Sequence, residues 1–230
     1  MFEFIHTLAS TWFLSFRLFR SFFSQVMPGH VGGTCENAAF NRKGKLMGEM
    51  YTICFTGHRP NKLFGYQSEE AYKPLRKRLS ALIAEIAEKH DGVHVITGGA
   101  QGVDQLAFWA AQHARELTNK PIYNDVFVPF RGQERRWAKY GVFSQAQYAQ
   151  MLRRADHVTQ CEDSCAAQSG NDDYRTVVTK LYRRNELMVD ASDMVVAVIV
   201  PDFDGKKGGT AACVRYARSC NKPIRFVMAK

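Results

Sequence analysis

Two glycine-bearing turns, Thr56-Gly57-His58-Arg59-Pro60 and Thr97-Gly98-Gly99-Ala100-Gln101-Gly102-Val103-Asp104, constrain this chain most. Each follows a short apolar run of β character and leads toward a stretch with helical spacing. In a parallel α/β sheet such turns lie at the carboxyl ends of strands. There glycine lets backbone N–H groups approach an anion, and the helix N-terminus adds partial positive charge. The two turns together point to a phosphate-bearing ligand.

The rest of the chain alternates in the same way. Strands are expected at Tyr51–Phe55, Val93–Ile96, Ile122–Val128, near His157, at Met194–Val200 and at Ile224–Val227. Between them, Leu75, Leu79, Leu82, Ile83 and Ile86 recur at helical spacing after Pro74. Gln105–Leu117 reads as an alanine-rich helix with Leu106, Trp109, Ala110 and His113 toward the sheet. Gln133–Ala155 reads as one or two helices, and Tyr174–Asp190 has a clear apolar stripe. The segment 162–172 is polar and reads as a surface loop that could close over a ligand, and the last helix runs from Gly208-Gly209-Thr210 to about Cys220. Strands alternating with helices predict an α/β fold: a Rossmann-like, doubly wound, mostly parallel sheet with helices on both faces.

Residues 1–46 do not share this pattern. Arg17 and Arg20 interrupt a phenylalanine-rich stretch, so it holds no apolar run long enough for a membrane helix. Glu3 stands where a signal peptide carries positive charge. On a helix, Trp12, Phe16, Phe19 and Phe23 would share one face and Arg17, Arg20, Ser21 and Ser24 the other, as in an interfacial helix. The preferred reading is an appendage, disordered or untranslated, with initiation at Met47 or Met50 and a domain over residues 47–230. A chain beginning at Met47 is accordingly expected to melt at the temperature of the full chain, and a large loss of thermal stability on truncation would contradict this.

With 46% hydrophobic and 23% charged residues the chain can bury a full core. Its net charge of +9 favours a polyanion only weakly, because Lys and Arg are scattered. Six cysteines without CxxC spacing read as reduced thiols in a cytoplasmic protein. His157, Cys161 and Cys165 could line one helix face as metal ligands, but lack a fourth. No metal and no cofactor is expected.

Candidate binding residues follow from the turns. Thr56 offers a hydroxyl, Gly57 close approach, and His58 and Arg59 side chains leave a strand end. Arg59 suits bidentate phosphate binding or an exposed ion pair, and His58 could donate to a neighbouring carbonyl. Gly98, Gly99, Ala100 and Gly102 form a plausible anion nest without a complete dinucleotide or P-loop fingerprint, and Gly102 could serve tight geometry alone. Asp104 fits a capping role better than a catalytic one. Gly208, Gly209 and Thr210 open the last helix. Arg184 and Asn185 sit on or beside an apolar helix stripe, so they need partners, either core carbonyls or a ligand. The three turns are expected to meet at one sheet edge and form the main pocket.

These motifs, together with Arg184-Asn185-Glu186-Leu187-Met188-Val189-Asp190 and Gly208-Gly209-Thr210-Ala211-Ala212-Cys213-Val214-Arg215-Tyr216-Ala217, resemble the YpsA-like branch of the SLOG superfamily from Tyr51 to Val227. That superfamily includes relatives of the DNA-processing protein DprA and of the LOG phosphoribohydrolases. The resemblance implies a pocket for a nucleotide or nucleotide-derived small molecule, in enzymes, sensors or single-stranded DNA binders. LOG enzymes carry a glutamate three residues after the threonine of their glycine-rich turn; Cys213 stands there, and no Asp or Glu follows Asp204. N-glycosidic hydrolysis draws on a carboxylate, so LOG-like activity would need Asp104 or Glu186 instead.

The preferred function is therefore nucleotide-derivative binding, with sensing as its output and a homo-oligomer left open. One alternative is a nucleoside-monophosphate N-glycosidase. Another is a DprA-like protein binding single-stranded nucleic acid, with Trp137 and Tyr140 near Arg131, Arg135 and Arg136; a solvated amphipathic helix is the plainer reading of that stretch.

Overall fold

A computed structural model describes residues 50–161 and 174–230; the expectations for residues 1–46, the loop 162–172 and Cys165 lie outside them. The elements are β1 (Tyr51–Gly57), α1 (Lys73–Glu88), β2 (Val93–Thr97), α2 (Val103–Ala114), β3 (Ile122–Val128), α3 (Gln145–Arg154), β4 (His157–Gln160), α4 (Tyr174–Asp190), β5 (Met194–Ile199), α5 (Gly209–Ser219) and β6 (Ile224–Met228). The six strands form one sheet in the order β4-β3-β2-β1-β5-β6, and every neighbouring pair is parallel.

Alternation along the strands divides the core between two faces. Ile53 and Phe55 of β1, Val93 and Val95 of β2 and Val196 and Val198 of β5 pack with Leu75, Leu79 and Ile83 of α1 and Val103, Leu106 and Ala110 of α2. Residues at the alternate strand positions, Cys54, Ile96 and Val195, meet Met188 and Val189 of α4 and Cys213 and Ala217 of α5. Fully burying such Val, Leu, Ile or Phe side chains contributes about 1.5–3 kcal/mol each. This is the doubly wound α/β arrangement, helices on both faces.

Three expectations change. His113 is exposed instead of facing the sheet, because α2 starts at Val103 and ends at Ala114. Residues 131–144 form turns, so α3 alone fills the helical stretch expected from Gln133. Gly132 and Gly141 take φ of 83° and 94° there, outside the helical region. Phe143 has φ 56° yet is 5% exposed, its ring 4.9 Å from that of Tyr72. The Ser144 side chain then accepts from Gln147 N–H at 3.3 Å, which starts α3. His157 and Cys161 lie on and just after β4, not on a shared helix face.

Candidate functional site

Because all the strands run the same way, the turns after β1, β2 and β5 emerge at the same carboxyl edge. Strand order reverses between β1 and β5: β2, β3 and β4 extend to one side and β5 and β6 to the other. Such a reversal opens the crevice in which ligands of α/β sheets bind. Residues 56–60 leave one side of it, residues 200–209 leave the other, and residues 97–104 stand beside the first turn.

The first two turns interlock through their glycines. A Cβ on Gly57 would enter the Val103 side chain, and one on Gly102, at φ 96°, would meet the His58 carbonyl oxygen. That carbonyl accepts from Val103 N–H at 3.3 Å. Gly57 and Gly102 are thus required where two backbones touch.

Behind the second turn lies a buried charged group. Arg184 of α4 and Asp104 of α2 are 4% and 8% exposed, with Nη1 and Oδ2 3.4 Å apart. The guanidinium occupies the space a Cβ on Gly98 would need. Asp104 Oδ2 also accepts from Ala100 N–H at 3.3 Å, so the carboxylate fastens the turn as well as the arginine. Burial pushes the Asp104 carboxyl up, and Arg184, Arg59 and the backbone amides of Ala100 and Gly98 pull it back. Arg59 is solvent-exposed at the surface of this group. Desolvation still weighs against its charge, Asp104 favours it, and Arg184 opposes it. The Arg184 Nε is buried without a hydrogen-bond partner.

His58 is 8% exposed, and its Nε2 too is unpartnered. Burial and then Lys62 hold the imidazole below its ordinary pKa, against Asp202. Its ring meets that of Phe203 edge-on at 5.7 Å. Gly208 and Gly209 are exposed, Thr210 is buried, and no side chain caps α5. A Cβ on Gly209 would lie 3.9 Å from Asn185 Nδ2, which links the third turn to α4.

The family model described as the YspA SLOG family, YpsA, matches residues 53–230. The chain belongs to this family. A Bacillus subtilis (strain 168) relative, described as an uncharacterized SPbeta prophage-derived protein YoqJ, is 34% identical over 145 residues, which cover 63% of this chain and 80% of the relative. The X-ray structure of DNA processing protein A from Streptococcus pneumoniae superposes with a TM-score of 0.41 at 12% identity, over 77% of this chain and 58% of that one. The chain thus spans less than two thirds of that protein.

Cys213 lies on α5 three residues after Thr210. Cys213 is 2% exposed, and burial pushes its thiol up to about 11, against a hydrogen bond with the Thr56 side chain. It is a neutral thiol at neutral pH, and Thr56 is turned toward it. Glu186 pairs with Arg183 at 3.1 Å at the surface, whereas Asp104 is held by Arg184 in the interior.

Two neighbours of the second turn carry no signal in the sequence. Gln133 donates to Tyr148 Oη at 2.7 Å and to the Gly98 carbonyl at 3.4 Å. A Cβ on Gly99, at φ 66°, would lie 2.8 Å from the Tyr148 ring. Burial raises the Tyr148 hydroxyl to about 12. Both residues come from the stretch around the 131–144 turns, whose path no periodicity reveals. Of the two aromatics considered for base stacking, Tyr140 is 81% exposed, whereas Trp137 packs edge-on against Tyr148 at 5.3 Å.

The three turns meet at one edge of the sheet, as expected. Among the described residues a separate cleft of about 250 Å³ lies between α1, α2 and α3, lined among others by Arg76, Trp109 and Gln147.

Proposed function

We propose that the carboxyl edge of the sheet binds a nucleotide or nucleotide-derived ligand through its phosphate, with sensing and not turnover as the output. The observation that carries this reading is Arg184: a guanidinium 4% exposed, packed against Gly98 of the second turn, with one unpartnered nitrogen. Arg59 and Arg184 share one carboxylate, Asp104. The two cations also raise each other's cost, which an anion between them would relieve. Exposed Gly208 and Gly209 and the side-chain-uncapped start of α5 supply further donors for phosphate.

In this reading Arg59, His58, Gly208 and Gly209 contact the ligand. Gly57, Gly98, Gly102 and Asp104 shape the turns, Gly99 and Ala100 complete the second turn, Arg184 stands behind it, and Asn185 lies beside the third turn, which Thr210 follows. A binding role accords with the neutral Cys213 and with Asp104 already committed to Arg184.

Mass spectrometry of small molecules released from protein purified under native conditions tests the ligand class. A phosphate-bearing nucleoside derivative is the expected finding. An eluate holding no such molecule would contradict the proposal.

A further inference from the structure

Three neighbouring strands place two imidazoles and a carboxylate together on the sheet face opposite α1 and α2. The register pairs Asp125 of β3 with His157 of β4 and with Ile96 of β2, two residues beyond His94. His94, Asp125 and His157 therefore share a face, because alternate residues of a strand point the same way. His94 Nδ1 lies 2.8 Å from Asp125 Oδ2, and His157 Nδ1 lies 2.8 Å from Asp125 Oδ1. One potential ligand atom from each of the three residues lies within 4.8 Å of the others.

We propose that His94, Asp125 and His157 bind one divalent transition ion of the zinc class, independently of the carboxyl-edge site. Two nitrogens and one carboxylate select against magnesium and calcium, which take oxygen ligands. Bonds of about 2.0–2.2 Å to an ion seated between the three would require these donor pairs to open only slightly from 2.8 Å. The ion replaces the two contacts that now join the imidazoles to the carboxylate.

The three donors differ in exposure in a way that suits such a site. Asp125 is 14% exposed at its side chain, His94 28% and His157 56%, so the carboxylate forms the base and His157 the solvent side. The His94 ring stacks on Tyr123 at 5.0 Å, which fixes its plane. Water completes the coordination from the open side, as at three-ligand zinc sites. The consequence is mechanical. β4 has four residues and pairs with β3 alone, so an ion on His157 fastens this edge strand to β3 and β2.

The test uses the full chain without a polyhistidine tag, stripped with chelator, dialysed and titrated with zinc chloride by calorimetry, beside melting curves with and without zinc. One zinc per chain and a higher melting temperature are expected. His157→Ala and His94→Ala should each weaken zinc binding about tenfold or more, since even outer partners of metal ligands cost about that much. Magnesium at the same concentration should leave the melting curve unmoved. His157 is half exposed, so its variant should melt like wild type without zinc and keep the comparison valid. No zinc uptake by the wild-type chain, or uptake undiminished in both variants, would overturn the proposal; the second result would assign the metal to other side chains such as the cysteines.

Discussion

Asp104→Ala is expected to lower the melting temperature of the full chain by about 6–20 °C. The variant leaves Arg184 buried at 4% exposure without its carboxylate, and removing one partner of a buried pair costs about 3–5 kcal/mol. For a chain of this size each kcal/mol moves the midpoint by about 2–4 °C. Ala100 N–H loses its acceptor as well, so the second turn loosens with the pair. Adding Arg184→Met to Asp104→Ala should recover much of the loss, because an apolar chain of similar length removes the stranded charge. Differential scanning calorimetry of the two single variants and the double variant decides this. Additive losses would show that the two residues do not act as a pair. On the functional reading, the destabilised Asp104→Ala chain should also regain stability when a nucleotide binds, since the site now carries two arginines and no opposing carboxylate.

Much of this arrangement was legible in the chain because it is local. Ile122–Val128 and Tyr174–Asp190 appear with the bounds their periodicity predicts, and the turns at 56–60, 97–104 and 208–210 each follow a strand. Inward-facing Arg184 on an apolar stripe announced that it needed a partner, and the sequence left open which. Asp104 answers that need through an ion pair between residues 80 positions apart. What stayed hidden depends on distant pairing. Thr56 looks like a free hydroxyl until α5 brings Cys213 against it. Gln133 and Tyr148 reach Gly98 and Gly99 only because residues 131–144 turn back instead of forming a helix. His94, Asp125 and His157 meet only once β2, β3 and β4 are set in register, which no spacing along the chain encodes.

The first turn offers the clearest separation of ligand recognition from folding. Arg59 is exposed, so Arg59→Ala should leave the melting temperature nearly unchanged. If its guanidinium contacts a phosphate, the same change removes a charge-assisted hydrogen bond and weakens nucleotide binding by about 1.5–3 kcal/mol, or roughly 10–150-fold. Arg59→Lys should restore only part of the affinity, because a point charge cannot reproduce a bidentate fork. The decisive measurement is calorimetric titration of the nucleotide released from the native protein into wild type, Arg59→Ala and Arg59→Lys, each shown folded by its melting curve. The account predicts the order wild type, then lysine, then alanine. Equal affinity for all three folded proteins would place the ligand away from the first turn and contradict it.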